Sequence, residues 1–433
     1  MEERRGSLSR RAFLARSALA LGAPAVVPAA ALGRDGRSAP SGRIALAMIG
    51  LGSMGLRHVQ GFLQEPDCQI VAVCDVDAAR RRAAADAVNK HYGSRDCAQL
   101  HDFREAIARA DADALCLSVP DHWHSIPALL ACRAGKDVYG EKPLALTIPE
   151  GRAMVDAVRS SGIVWQMGSW QRSTRHFRIA AELVRNGRIG RLLRVEVGLA
   201  IGPSCGPQPA MAVPEGFDYE TWLGPAPWAP YTEKRCHWNF RWIFDYSGGQ
   251  VTDDGAHHID IAHWGMGADA TGPVEVEGRG EFPDGLWDAA TRFRFVCRYA
   301  DGVVMDVAST DRLRGGTRFV GETGWIHVDR ERMDASPKSL LKETIRPGEL
   351  HLASPAEGHR QGHRRNFLDC VRTRREPITP IEVGHHSIAV AHLGNIAMRL
   401  GRRVRWDPRR EEILGDPEAA RMLCRPMREP WHY

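Results

Sequence analysis

The chain has ten cysteines but no Cys-x-x-Cys pair, and 18 histidines but no His-Glu-x-x-His segment. The first absence speaks against a zinc ribbon or a redox dithiol, and the second removes a familiar helical zinc signature. Beyond the N-terminal segment, no apolar stretch reaches the length of about 20 residues that a membrane-spanning helix needs. Basic residues barely outnumber acidic ones, 58 against 53 for a formal charge of +5. No basic stripe interleaved with aromatics is present, so nucleic acid is not an expected partner. There is no internal repeat. Cys74, Cys116 and Cys297 stand in apolar strand contexts, where buried free thiols are expected.

What is present begins with Ser9-Arg10-Arg11-Ala12-Phe13-Leu14 ahead of an uncharged, Ala-rich run over residues 17–33. A charged n-region, a short apolar h-region and the small residues Ala29-Ala30-Ala31 form a secretory signal of the twin-arginine type. Gly22, Pro24 and Pro28 interrupt the run, which argues against a retained membrane anchor. The expectation is a leader and linker over residues 1–41, export to the periplasm or beyond, and a chain folded before export. Folding in a reducing cytosol needs no disulfides.

The length of 433 residues leaves room for two or three domains. Over residues 42–168, short apolar runs alternate with helical stretches, with strands expected at 44–49, 69–74, 114–119, 137–139 and 164–167. That alternation predicts a doubly wound parallel sheet of Rossmann type. Over residues 169–408 the pattern changes to longer alternating strands at 192–199, 274–281, 291–299, 303–308 and 324–328, with helices at 175–185, 251–264, 359–371 and 381–400. Phe293, Phe295, Cys297 and Tyr299 fall on one face, while Arg292, Arg294 and Arg298 fall on the other. This half reads as an α+β domain with an open-faced, mostly antiparallel sheet. Residues 409–433 read as a C-terminal tail.

Gly50-Leu51-Gly52-Ser53-Met54-Gly55 ends the first strand and opens a helix, the arrangement that brings a helix N-terminus to a dinucleotide diphosphate. Asp75 closes the next strand, where its carboxylate can hold ribose hydroxyls and repel a 2'-phosphate. NAD is therefore the expected cofactor, although Arg80, Arg81 and Arg82 lie close enough in sequence to keep NADP open.

Four motifs in order, the glycine turn, Val119-Pro120-Asp121-His122-Trp123-His124, Glu141-Lys142-Pro143 and Gly248-Gly249-x-x-x-Asp253-x-Gly255-x-His257, resemble the glucose-fructose oxidoreductase/inositol dehydrogenase (Gfo/Idh/MocA) family. The resemblance covers residues 43–402. It implies cofactor contacts from the glycine turn, Val119, Pro120, His122, His124, Glu141 and Lys142, and a second domain whose sheet makes homo-oligomer contacts. It also implies that Lys142, Asp253 and His257 are the catalytic set, and the chemistry suits them. Oxidising a secondary alcohol needs a proton acceptor, which an imidazole can be, and a donor to the reacting oxygen, which an ammonium can be. Asp253, four residues before His257, is placed to orient the ring or steady the substrate.

Asp254 departs from the family pattern, in which an aromatic residue is common at this place. A second carboxylate is expected to alter substrate choice or raise the pKa of Asp253. His257, His258, Asp260 and His263 invite a metal reading, but without standard zinc spacing they are taken as hydrogen-bonded packing. Trp170, Gln171 and Arg172, and His237, Asn239, Arg241 and Tyr246, mix flat rings with polar heads as carbohydrate sites do. Phe240 and Trp242 are the expected core members. The sequence thus points to an exported NAD(P)-dependent oxidoreductase acting on CH-OH groups of a sugar, polyol or sugar derivative, with its cofactor held through catalysis. Two other readings stay open: a redox-neutral glycoside-modifying enzyme using bound NAD, and a non-catalytic dinucleotide-binding protein.

Overall fold

The computed structural model describes residues 42–355 and 359–433. The twin-arginine leader, residues 1–41, lies outside the described residues.

The first sheet is built from β1 (Ile44–Ile49), β2 (Cys68–Cys74), β3 (Ala98–Leu100), β4 (Ala114–Leu117), β5 (Asp137–Gly140) and β6 (Trp165–Met167), ordered β3-β2-β1-β4-β5-β6 with every pair parallel. The order reverses beside β1, and a doubly wound sheet binds ligands at that crevice. Helices Ser53–Phe62, Ala78–Tyr92, Ser125–Arg133 and Ile148–Ser161 flank it. Asp77 caps the second of these by accepting from Ala79 and Arg80, and Thr147 caps the fourth by accepting from Glu150.

The second sheet has nine strands: β7 (Leu192–Leu199), β8 (Glu275–Gly280), β9 (Phe293–Arg298), β10 (Val304–Ser309), β11 (Gly316–Gly321), β12 (Trp325–Val328), β13 (Met333–Ser336), β14 (Val404–Asp407) and β15 (Glu412–Ile413). Their order is β13-β12-β11-β7-β10-β9-β8-β14-β15, antiparallel except for β7 against β10. The expected alternation holds in β9, where Phe293, Phe295 and Cys297 are buried and Arg294 and Arg298 exposed. On the outer face, Arg294 pairs with Asp306 at 2.8 Å and Arg298 with Glu275 at 3.2 Å. The inner face packs on helices Gly255–Met266 and Ile381–Leu400.

Helix Ile381–Leu400 is buried along most of its length and ties the two halves together. His392 Nε2 lies 3.1 Å from the Ala145 carbonyl, and Asn395 donates to the Gly248 carbonyl at 3.1 Å. The segment expected as one helix over 251–264 is two, Gln250–Asp253 and Gly255–Met266, joined through Asp254, whose backbone stays near helical values while its side chain accepts from the Ala200 amide at 3.2 Å. Residues 409–433 are more than a tail. They add β15 and helix Pro417–Arg421, and Trp431 then packs 4.7 Å from the ring of Trp123. Residues 44–433 form one compact unit. No helix among the described residues is long and apolar enough to cross a membrane.

Candidate active site

A cavity of about 640 Å³ opens at the carboxyl ends of β1, β2 and β4 and runs to the start of helix Gly255–Met266. Its cofactor end is the glycine turn. Gly50 has φ +84, and a Cβ there would stand 2.5 Å from the Ser118 carbonyl oxygen; a Cβ on Gly55 would stand 1.9 Å from the Gly50 carbonyl oxygen. Only glycine fits either place. Gly52 gives helix Ser53–Phe62 no side-chain cap, so the N–H groups of its first turn stand available beside Gly52, Ser53 and Met54 on the cavity wall. A diphosphate fits such a cradle.

Asp75 lines the same end, but both its oxygens also work within the protein. Oδ2 accepts from the Leu51 amide at 2.6 Å and Oδ1 from the Asp77 amide at 2.9 Å. This stitches the buried Leu51 and the glycine turn to β2, and the remaining carboxylate lone pairs would hold the ribose hydroxyls of a bound dinucleotide. Burial pushes the Asp75 carboxyl up, against the two backbone N–H groups that favour its charge. Val119, Pro120 and Glu141 line the cavity as expected. Glu141 is clamped from behind, with Oε1 2.7 Å from His58 Nε2; burial opposes its charge, and His58 and Lys142 outweigh that burial and hold its pKa low.

His122 and His124 are corrections. Neither lines the cavity: His122 Nε2 lies 3.0 Å from the Trp222 carbonyl, and the His124 ring bridges the Pro143 carbonyl at 2.6 Å and the Val119 carbonyl at 2.9 Å. Both brace the cofactor loops from behind.

At the other end the structure brings Lys142, Asp253 and His257 together from segments more than a hundred residues apart. Lys142 Nζ donates to Asp253 Oδ1 at 2.5 Å and to the Asp253 carbonyl at 2.9 Å, while Arg241 Nε donates to the same Oδ1 at 3.2 Å. Burial opposes the Asp253 charge, but Lys142 and then Arg241 prevail, and the carboxyl sits below its usual range. The upward push expected from Asp254 is not found, because Asp254 faces Ala200 and stands 3.5 Å from Arg330. His257 is 6 % exposed, its Nδ1 is buried without a partner, and burial followed by the charges of Lys142 and Arg330 holds it well below the ordinary imidazole range. It is a neutral imidazole on the cavity wall.

Trp170, His237, Arg241 and Asp254 line the cavity as sequence reasoning proposed; Gln171, Arg172, Asn239 and Tyr246 do not. Arg172 is 2 % exposed and locked between Asp260 and Asp269 at 2.7 Å each. Tyr246 is buried, with its hydroxyl accepting from Arg235 at 3.1 Å. Asn239 is half-buried in the turn His237–Trp242, where its backbone N–H donates to the Cys236 carbonyl at 3.1 Å. Gln171 lies one layer back, its amide nitrogen donating to the His257 carbonyl at 2.9 Å and its oxygen accepting from Arg330 Nε at 3.2 Å.

The sequence reading missed Arg57, Arg330 and Arg360, which line the cavity, and a roof over its adenosine end. In that roof the Gly216 carbonyl accepts from Ala78 at 2.9 Å, the Asp218 amide donates to the Val76 carbonyl at 3.2 Å, and Asp218 Oδ2 lies 2.8 Å from His101 Nε2. Phe217, Thr221 and Trp222 face the cavity from this strap.

Known proteins match this arrangement in both halves. Residues 44–169 match the description "Oxidoreductase family, NAD-binding Rossmann fold" and residues 182–433 the description "Oxidoreductase family, C-terminal alpha/beta domain". The chain belongs to the Gfo/Idh/MocA oxidoreductase family. Its Rossmann domain binds NAD. Within the family it is 26% identical over 320 residues to levoglucosan dehydrogenase of Pseudarthrobacter phenanthrenivorans, covering 67% of this chain and 74% of that protein. It is 29% identical over 201 residues to a glycosyl hydrolase family 109 protein of Shewanella, covering 44% of this chain and 43% of that one. The chain aligns with less than half the length of several curated relatives. The WlbA dehydrogenase of Bordetella pertussis, solved with NADH and UDP-GlcNAcA, shares the fold at a TM-score of 0.64 and 21% identity, over 84% of this chain and 99% of that one.

Proposed function

We propose that the protein is an exported NAD-dependent oxidoreductase that transfers hydride to or from a secondary hydroxyl or carbonyl of a sugar, polyol or sugar derivative. The observation that carries this reading is the meeting of Lys142, Asp253 and His257 in one cavity with the glycine turn. Bound NAD supplies the hydride acceptor, and its reduced form the donor. The protein supplies the proton chemistry. Neutral His257 takes the hydroxyl proton on its ring. Lys142 has three N–H donors and commits two to Asp253; the third is free for the reacting oxygen, where the cation favours developing negative charge. Trp170, 6% exposed and with Arg360 over its ring at 4.4 Å, backs the substrate end of the cavity. Export rests on the leader sequence, and self-association is assigned to the outer face of the second sheet.

The strap at Gly216 and Asp218, hydrogen-bonded through its backbone to the loop after β2, supports a cofactor retained through turnover. A retained cofactor favours a second reading, a redox-neutral cycle in which a sugar carbon is oxidised, the sugar is rearranged and the hydride returned. The similarity to a glycosyl hydrolase family 109 protein points the same way. The test is to denature purified protein, identify the released nucleotide and its redox state, and screen sugars for a change in the bound cofactor's spectrum. Lys142→Ala and His257→Ala are each expected to abolish that change; normal turnover in both defeats the mechanism. Product at an unchanged oxidation level selects the redox-neutral cycle.

A further inference from the structure

We infer that the sugar accepted here carries an oxyanion, a carboxylate or a phosphate ester, gripped by Arg330 and Arg360 beside His257. This rests on the oxidoreductase reading above and names its substrate class. The Arg360 guanidinium lies 4.4 Å from the centroid of the Trp170 ring, Arg330 lies 5.7 Å from the same ring, and the His257 ring lies 6.1 Å from it. All four side chains line the cavity. Arg330 is partly engaged, by Gln171 and by Asp254 at 3.5 Å. Arg360 is not. Half-buried, its only side-chain hydrogen bond is a 3.9 Å contact from Nη1 to Met54 Sδ, and no carboxylate among the described residues lies within ion-pairing distance.

A half-buried guanidinium without a counter-ion among the described residues is costly, and the charge of Arg330, itself 46% exposed and 3.5 Å from Asp254, adds to that cost. Burial lowers the proton affinity of Arg360, and the charges of Arg57 and Arg330 push the same way against Glu141 and Tyr139. An oxyanion entering the cavity removes this penalty, and the guanidinium fork suits a planar carboxylate or a phosphate. The same negative charge offsets the Lys142 and Arg330 fields on His257 and makes it a better base. The diphosphate of the cofactor is the competing source of oxyanion. It is served by the backbone N–H groups at Gly52 to Met54; Arg330 stands by Asp254 at the His257 end, while Arg360, whose Nη1 also reaches Met54 Sδ, lies between that cradle and Trp170, so its effect on NADH affinity separates the two sources.

The test is calorimetric titration of the NAD-saturated protein with two matched sets, D-glucose, D-glucuronate and D-glucose 6-phosphate, and D-galactose, D-galacturonate and D-galactose 6-phosphate. In at least one set an anionic sugar is expected to bind at least about ten-fold more tightly than its neutral partner, as charged hydrogen bonds allow. The anion that wins separates carboxylate from phosphate. Arg360→Gln and Arg330→Gln should each erase most of that preference, Arg360→Lys should keep part of it, and NADH affinity should stay within about two-fold. The inference is overturned if neither set shows an anion preference, if the preference survives Arg330→Gln and Arg360→Gln combined, or if Arg360→Gln weakens NADH while sugar discrimination persists. Reduction of NAD by neutral sugars without anion preference leaves the oxidoreductase reading standing and removes this one. Anion-selective binding lost in Arg360→Gln, with no sugar ever reducing NAD, does the reverse.

Discussion

Replacing Arg172 separates the two roles that a cation near the cavity can have, contact with the ligand or support of the wall. Its Nε and Nη2 reach both oxygens of Asp260 at 2.7–3.0 Å, and its Nη1 and Nη2 reach Asp269 at 3.1 and 2.7 Å. The Asp260 side chain is 0% exposed and that of Asp269 31%. Arg172→Gln therefore strands the Asp260 carboxylate in the interior, while Asp269 recovers water. Removing one partner of a buried ion pair costs about 3–5 kcal/mol. The unfolding entropy of the compact unit over residues 44–433, at ~2.1 cal/mol/K per residue, is about 0.8 kcal/mol/K. The expected fall in Tm is then ~4–6 °C. Adding Asp260→Asn should return part of the loss, because the stranded charge goes too.

The assay pairs a thermal scan with steady-state kinetics at 25 °C on whichever sugar reduces the cofactor. Arg172→Gln should lower Tm by the amount above and leave KM within about two-fold, since the side chain lies behind the wall and lines no part of the cavity. A variant with unaltered Tm and a KM raised ten-fold or more refutes this reasoning and returns Arg172 to the substrate.

Two further perturbations address the chemistry and the strap. Burial and the Lys142 charge hold His257 well below its usual 6.5, so its base form survives acidification and the acid limb of kcat/KM for oxidation should lie below that value; Lys142→Met should lower kcat and move the limb upward, and a wild-type limb at or above 6.5 counts against His257 as the base. Phe217→Ala removes a ring from the roof of the cofactor end, and NADH release followed by stopped-flow fluorescence should quicken about ten-fold, equivalent to roughly 1.4 kcal/mol of the ring's burial; an unchanged rate means the strap does not hold the cofactor.

Long elements with strong periodicity were legible in the sequence: strand Leu192–Leu199 and helix Ile381–Leu400 have the expected bounds. Edge strands were not. Ala98–Leu100 and Met333–Ser336 are three and four residues long with few buried positions, too short to display alternation. The break at Asp254 was hidden because its backbone stays near helical values, so the helical sequence pattern runs through it unbroken. The C-terminal residues read as polar tail because their anchors are single side chains, Trp431 on Trp123 and Arg428 on the Gly224 carbonyl at 3.0 Å, set among charges.

At the site, sequence adjacency misled in a specific way. Trp170 and Arg172 belong to one 3-10 turn, Trp170–Ser173, and His237, Asn239 and Arg241 to another, His237–Trp242. With three residues per turn, side chains two apart point about 120° away from each other, so one lines the cavity while the other enters the wall. Arg330 and Arg360 show the converse. They lie thirty residues apart with no shared motif, and they meet only because both lie against Trp170. The motifs likewise mark more than contact residues. His124 joins the carbonyls of Pro143 and Val119. It thereby couples the loop that carries Lys142 to the loop that walls the cavity, so a motif histidine that does not line the cavity still helps to hold Lys142 in place.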